Sequence, residues 1–457
     1  MTDTGADHAG HGSDADRAGA TRSHGERMRR DPSYGEQPPA TDTGGARTDG
    51  PRAGETQAGG TQAGGTQADG PRAGETQAGG TQADGTRTGG VQAGGPRRRV
   101  TAYRASGADL PFGHPEWSHG VAMEGYFWRL TDPTSGRVAI ALIGVQNDDT
   151  GSWALTGLGT SEGSWRQAIL PAARARRTGL GARAGDLMSS ASPDTAGNRG
   201  GVTAGEREME TSGGATGYFL GTDRRLLVEL GDDAKLDVHL EATDRWPSRR
   251  PFGGSSWFQA VPGLNQYWHP WLLGGRATGS LDISGERWEF VDAEVYGEKN
   301  WGRAGFPDSW WWGQAQGFPD TDACVAFAGG EVTAGRLRTE VTGLVVRLPD
   351  GHVIRLGNPV TSPVRADVGD EHWVLEGRSL TWSVSVEARA PLGDALVLPV
   401  PLVGQRRAVP GAIEQLAGTL AVRVRHRGHL VWEAKSSLAG LEHGGLPRAA
   451  ALAASRA

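Results

Sequence analysis

Cysteine is almost absent. Cys324 is the single one in 457 residues, which excludes an internal disulfide and a cysteine-based metal cluster. Its neighbours Ala323, Val325, Ala326 and Phe327 are apolar, so a buried core thiol is the expected role. No run approaches the roughly 18 apolar residues of a membrane-spanning helix, and no charged start followed by an apolar core marks a secretory signal. A soluble, cytoplasmic protein is the expectation. Excess positive charge is also missing: the net charge of −6 gives no reason to expect a nucleic-acid partner. Gly157, Gly159, Gly163 and Gly179, Gly181, Gly185 each miss the dinucleotide fingerprint by one residue, and no Gly-Lys-Ser/Thr loop occurs. His114, His119 and His269 lack metal-ligand spacing, and no serine sits in a nucleophile elbow. These absences lead us to expect neither a cofactor nor a metal.

Glycine, by contrast, is abundant at 73 residues. Much of it lies in residues 1–98, where PRAGETQAGG fills 51–60 and recurs unchanged at 71–80. Such a stretch has too little apolar surface to offset the entropy of ordering it, so it reads as a disordered arm, closed by Arg97, Arg98 and Arg99. Beyond it, strand-like segments follow one another at short spacing with almost no helices between them. Leu236, Val238 and Leu240 alternate with Asp237, His239 and Glu241, the mark of a sheet wet on one face. Trp165–Leu170 reads as a short helical turn and 172–215 as a flexible insertion. An all-β chain of closed or nearly closed antiparallel sheets is expected. The divisions are a first domain over 112–265, a second over 266–446 and a tail over 447–457, in which Arg448–Arg456 reads as a frayed helix.

The chain is only 7% aromatic, yet Trp257, Trp268, Trp271, Trp288, Trp301, Trp310, Trp311 and Trp312 crowd one stretch around Tyr296, Glu298, Lys299 and Asn300. Ser284-Gly285 reads as a tight hairpin turn, and alternation along the following strand puts Tyr296 and Glu298 on one face with Lys299 on the other. A carboxyl among large apolar rings is desolvated, which raises its pKa and makes it a proton donor near neutrality. The rings can face a developing cation. The same pattern equally suits a barrel core with a turn closed by a surface ion pair.

The run GERWEFVDAEVYGEKNWG, residues 285–302, resembles the tocopherol cyclase family. Two distant segments match in the same order: Met123-Glu124-Gly125-Tyr126-Phe127-Trp128-Arg129, and Glu433-Ala434-Lys435-Ser436-Ser437 with Glu442, Gly444 and Gly445. The resemblance implies two lipocalin-like β-barrels whose interior holds a long apolar ligand. It also implies acid-initiated closure of a prenylated hydroquinone to a chromanol. On that basis Glu298 is the expected proton donor, with Tyr296 and Asn300 positioning the phenol or the acid. Trp301 and Trp311 are expected to wall the prenyl chain, with Trp257 at the same site. Glu124, Arg129, Glu433 and Lys435 either reach the cavity or form structural ion pairs. Lys299 is expected to point away or pair with a carboxylate such as Asp292. Carotenoid hydratases carry histidine where this chain has Lys299, and a non-catalytic isoprenoid carrier is the further alternative. An apolar substrate implies at least transient contact with lipid.

Overall fold

A computed structural model describes residues 121–456 apart from 122, 149–150, 177–178, 187–216, 251, 262, 304 and 403. The repeat arm over 1–98 and most of the 172–215 insertion lie outside the described residues.

Two antiparallel sheets account for most of the described residues. The first begins with β1 (Met123–Asp132), β2 (Arg137–Asp148), β3 (Gly151–Thr160) and β4 (Trp165–Pro171). It continues through the short β5 (Arg174–Ala175), β6 (Ala182–Gly185) and β7 (Gly217–Gly221). It ends with β8 (Arg225–Leu230), β9 (Ala234–Arg245), β10 (Tyr267–Ile283) and β11 (Glu286–Gly302). The second sheet holds β12 (Trp310–Ala315), β13 (Cys324–Ala334), β14 (Leu337–Arg347), β15 (Val353–Leu356) and β16 (Val364–Val368). To these it adds β17 (His372–Arg378), β18 (Trp382–Arg389), β19 (Leu396–Leu402), β20 (Arg407–His426) and β21 (His429–Gly444). One plan builds both. Each is a meander whose first strand pairs with its last, β1 with β11 and β12 with β21. Both sheets curl, bringing β4 against β6, β7 and β8, and β14 against β16. The fold is therefore the expected all-β, two-barrel, lipocalin-like one, each barrel being a curled ladder rather than a ring of unbroken pairing among the described residues.

Local chemistry accounts for much of this. Ser284 and Gly285 both have positive φ, 55° and 85°, as a two-residue turn of the type that matches strand twist requires. Along β9 every inward residue from Ala234 to Leu240 is buried and every residue between is exposed, the alternation of a half-wet sheet. Trp165–Leu170 is strand rather than a helical turn, because Gly159, Gly157 and their neighbours on β3 offer it a complete ladder.

Where the sheets divide differs from the sequence-based division at 265/266. Tyr267–Gly302 belongs to the first sheet: β11 pairs with β1 from Glu294↔Thr131 to Gly302↔Met123. Its residues Trp288, Phe290 and Val295 share a core with Trp128 and Trp271. Pairing between segments more than 160 positions apart sets the boundary, and nothing in local composition marks it. The sheets change over between Gly302 and Trp310. The carboxy-terminal stretch is likewise no frayed tail. Leu446–Arg456 forms helix α1, buries Ala449, and Arg456 donates to the carbonyls of Leu392, Gly393 and Ala395.

Two further apolar clusters lie between the sheets. Trp246, Trp268, Leu273 and Tyr296 pack with Trp312, Cys324, Ala326 and Val345, and Val138 and Ile140 pack with Leu396, Leu398, Leu416 and Leu438. Cys324 is the buried core thiol expected, and burial pushes it up to about 12.

Candidate active site

A cavity of about 200 Å³ opens between the sheets, with Glu298, Asn300, Trp311 and Trp312 among its lining residues. Seven glycines line it, Gly125, Gly144, Gly254, Gly329, Gly330, Gly343 and Gly357. Their missing side chains leave room for rings. At Gly329, for example, an added Cβ would lie 2.2 Å from the Trp311 indole nitrogen.

Alternation along β11 sends Tyr296, Glu298 and Asn300 to one face. Glu298 is buried, and its Oε2 accepts three hydrogen bonds: from Trp268 Nε1 at 2.8 Å, Tyr296 Oη at 2.7 Å and Trp312 Nε1 at 2.8 Å. Two of these donors belong to the first sheet and the third to the second, so the acid is seated only when the two sheets meet. Desolvation raises the Glu298 carboxyl above its ordinary value, with the three donors pulling the other way. Tyr296 is held well above its usual range by burial and by the neighbouring Glu298. Its hydroxyl therefore remains a donor. Asn300 faces Gly125 across the β1–β11 ladder, and its Oδ1 is buried with no hydrogen-bond partner.

Two more acids line the same cavity. Glu414 on β20 and Glu442 on β21 are directly opposite one another. Trp310 Nε1 donates to Glu442 Oε1. Burial lifts Glu442 to about 7, with the Trp310 hydrogen bond opposing and Glu298 reinforcing the rise. Glu414 is fully buried with neither oxygen hydrogen-bonded. Burial first, then the Glu442 charge, raises it well above its ordinary value, while Arg129 pulls it down. In the sequence Glu442 stands in the carboxy-terminal motif without an assigned role, and nothing local marks Glu414. Trp268, Trp310 and Trp312, counted in the sequence only as a crowd, are the residues that hold the acids.

Other expected site residues are placed elsewhere. Trp311 does line the cavity. Trp301 does not: odd-numbered residues of β11 face away, and it stacks on Tyr267 at 5.5 Å with Lys299 Nζ 4.9 Å from its ring. Trp257 is 39% exposed and stacks on Phe258, and it is Phe258 that reaches the cavity. Lys299 points away as expected, yet its carboxylate is Glu124, at 3.4 Å, rather than Asp292, which lies 3.7 Å from Arg276. Glu124 is thus part of a buried ion pair instead of the lining. Arg129 is also structural. Fully buried, it donates to Thr131 Oγ1 and Gln314 Oε1, and to the carbonyls of Leu416 and Leu438, where the β20–β21 register shifts. Burial pulls it down to about 10, so it stays charged at neutral pH.

Glu433 and Lys435 face solvent on β21, and Glu433 pairs with Arg423. Alternation with their neighbours is the reason: Trp432 and Ala434 pack against the core of the second sheet, so 433 and 435 turn out. The double change Glu433→Gln and Lys435→Gln is expected to leave stability unchanged. Urea titration checks it, and a clear fall in the unfolding midpoint would contradict this placement.

Comparison with known proteins follows the same geography. Residues 219–445, from β7 to the end of β21, match the family model described as tocopherol cyclase-like. The chain is 33% identical over 232 residues to the probable chloroplastic tocopherol cyclase of Oryza sativa subsp. japonica, covering 45% of this chain and 47% of that protein. To the chloroplastic tocopherol cyclase of Zea mays it is 32% identical over 235 residues, again 45% and 47%. The chain thus spans about half the length of the curated relatives it matches. Among solved structures it is similar to kievitone hydratase from Nectria haematococca at 14% identity, covering 71% of this chain and 88% of that one, with a TM-score of 0.40. It is also similar to CghA with Sch210972 at 12% identity, covering 71% and 88%, with a TM-score of 0.44. Across residues 219–445, which hold Tyr296, Glu298, Asn300, Glu414 and Glu442, this chain belongs to the tocopherol cyclase-like family.

Proposed function

We propose that this protein closes a prenylated hydroquinone, or a closely similar isoprenoid phenol, to a chromanol-type ring by acid-initiated cyclisation. The observation that carries the reading is Glu298, which has three donors on Oε2 and lines an apolar, tryptophan-walled cavity. A carboxylic acid protonates an alkene only if the anion left behind is stabilised. Three donors aimed at Oε2 do that, while burial raises the proton affinity of the carboxyl above that of a solvated glutamate.

In this mechanism Glu298 gives its proton to the less substituted carbon of the trisubstituted alkene nearest the ring. Trp311 and Trp312 offer π-faces to the tertiary cation, and the walls keep out water that would trap it. Tyr296 positions the acid, and Asn300, with its free Oδ1, orients the ring hydroxyl. Substrate and product are isomers, so no electrons enter or leave. An apolar chain of this kind would be drawn from a lipid phase.

Incubating the protein with prenylated hydroquinones in heavy water and weighing the products tests the reading. A product isomeric with its substrate but carrying one non-exchangeable deuterium on the prenyl chain is expected. A gain of one water would make the protein a hydratase instead, and ligands that quench tryptophan fluorescence yet return unchanged would make it a carrier.

A further inference from the structure

A cyclisation begun by a proton must end by releasing one, and Asn300 has no basic site to take it. Trp310 and Trp312 lie two residues apart on one face of β12, and each gives its indole N–H to a different acid, Glu442 and Glu298 respectively. Two residues along a strand span about 7 Å. β12 therefore holds two carboxyl groups on the wall of one cavity, each through an indole of the same strand face.

We infer that Glu442 is the proton acceptor of this site, receiving the proton of the ring hydroxyl while Glu298 supplies the alkene. This assignment rests on the proposed cyclisation. The step balances. Glu298 loses a proton to the alkene carbon, the phenol oxygen bonds to the tertiary carbon, and its O–H bond breaks with the proton passing to the Glu442 carboxylate. After the product leaves, Glu442 returns a proton to Glu298 by exchange with solvent.

Glu414 makes Glu442 fit for this. The two are cross-strand neighbours, and two carboxyls so placed do not both ionise. Glu414 is fully buried, both its oxygens lack a hydrogen bond, and it borders the cavity. Burial raises its proton affinity. Glu442 is the member of the pair with a donor on its carboxylate, Trp310 Nε1, and so the one whose anion is stabilised for use as a base. The charged or titratable groups around the pair are Glu298 and Tyr296 on β11 and Arg129 on β1. Of these Arg129 alone is cationic, and it sits behind Glu414, where an added Cβ at Gly440 would lie 3.2 Å from its Nε and 3.4 Å from Glu414 Oε1.

Geranylhydroquinone and its dimethyl ether, titrated against the full chain by tryptophan fluorescence, test the assignment alongside turnover of the hydroquinone. Wild type is expected to prefer the free hydroquinone by about tenfold or more, the worth of a hydrogen bond to a charged group. Glu442→Gln is expected to lose that preference, to bind the ether unchanged, and to turn over at least about a hundredfold more slowly. Unchanged preference and turnover in Glu442→Gln would overturn the assignment and leave the cyclase reading standing. If wild type binds neither compound, both fall. Should Glu442→Gln not fold, Trp310→Phe takes its place. Removing the N–H that stabilises the carboxylate raises its pKa, so the low-pH limb of kcat/KM is expected to move up, and an unmoved limb would overturn the assignment.

Discussion

Glu298→Gln is expected to lower turnover by about a thousandfold, within the range general acids contribute, while leaving ligand affinity within about threefold. The amide keeps the size of the acid, and its oxygen can still accept from Trp268, Tyr296 and Trp312. Seating is preserved and only the transferable proton is lost. The pH dependence has a definite sign. Because burial raises the Glu298 carboxyl above its ordinary value, the acid form survives to higher pH than a solvated glutamate allows. The wild-type rate should fall as pH rises through that value, and this limb should vanish in the variant. Turnover within tenfold of wild type would remove Glu298 as the donor. An equal collapse of binding and turnover would mean that it serves the ligand's fit instead.

Arg129→Met is expected to lower unfolding free energy by about 3–5 kcal/mol, the range for removing one partner from a buried charged network. Methionine fills much of the volume, so cavity formation is not the main cost. The cost lies in the acceptors left behind: Thr131 Oγ1, Gln314 Oε1 and the carbonyls of Leu416 and Leu438, all on buried residues. Leaving such groups unpaired is expensive. Glu414 also loses the nearby cation that pulls its proton affinity down. Guanidinium titration read by tryptophan fluorescence measures the loss. A value under about 1 kcal/mol would show that Arg129 is dispensable to the stitch between β1 and the β20–β21 irregularity, and would reopen the ligand-binding role that the sequence suggested.

What could be read from the sequence was what depends on neighbours along the chain. The turn at Ser284-Gly285, the half-wet face of β9 and the separation of Glu298 from Lys299 all follow from a period of two. So does the outward placement of Glu433 and Lys435, which alternate with the core-facing Trp432 and Ala434. The remainder depends on register between distant strands. That Trp312 donates to Glu298 follows from the meeting of β11 and β12 across two sheets, and that Glu414 faces Glu442 follows from a ladder with three register shifts. No local pattern encodes either. Trp301 and Trp257 share the motif's neighbourhood in sequence, whereas the cavity selects by face.

The glycines of the cavity wall separate what the protein does from how large a molecule it does it to. At Gly125, Gly254 and Gly329 a methyl group would collide within 2.2 Å of Asn300, Trp268 or Trp311. Those positions are locked to the rings and amide beside them. Gly144 is different, since an added methyl meets nothing nearer than the Leu155 carbonyl at 4.0 Å. A single carbon there would trim the available space without touching either acid. Diversification of such a scaffold toward shorter or longer guests therefore has a path that never crosses its catalytic apparatus.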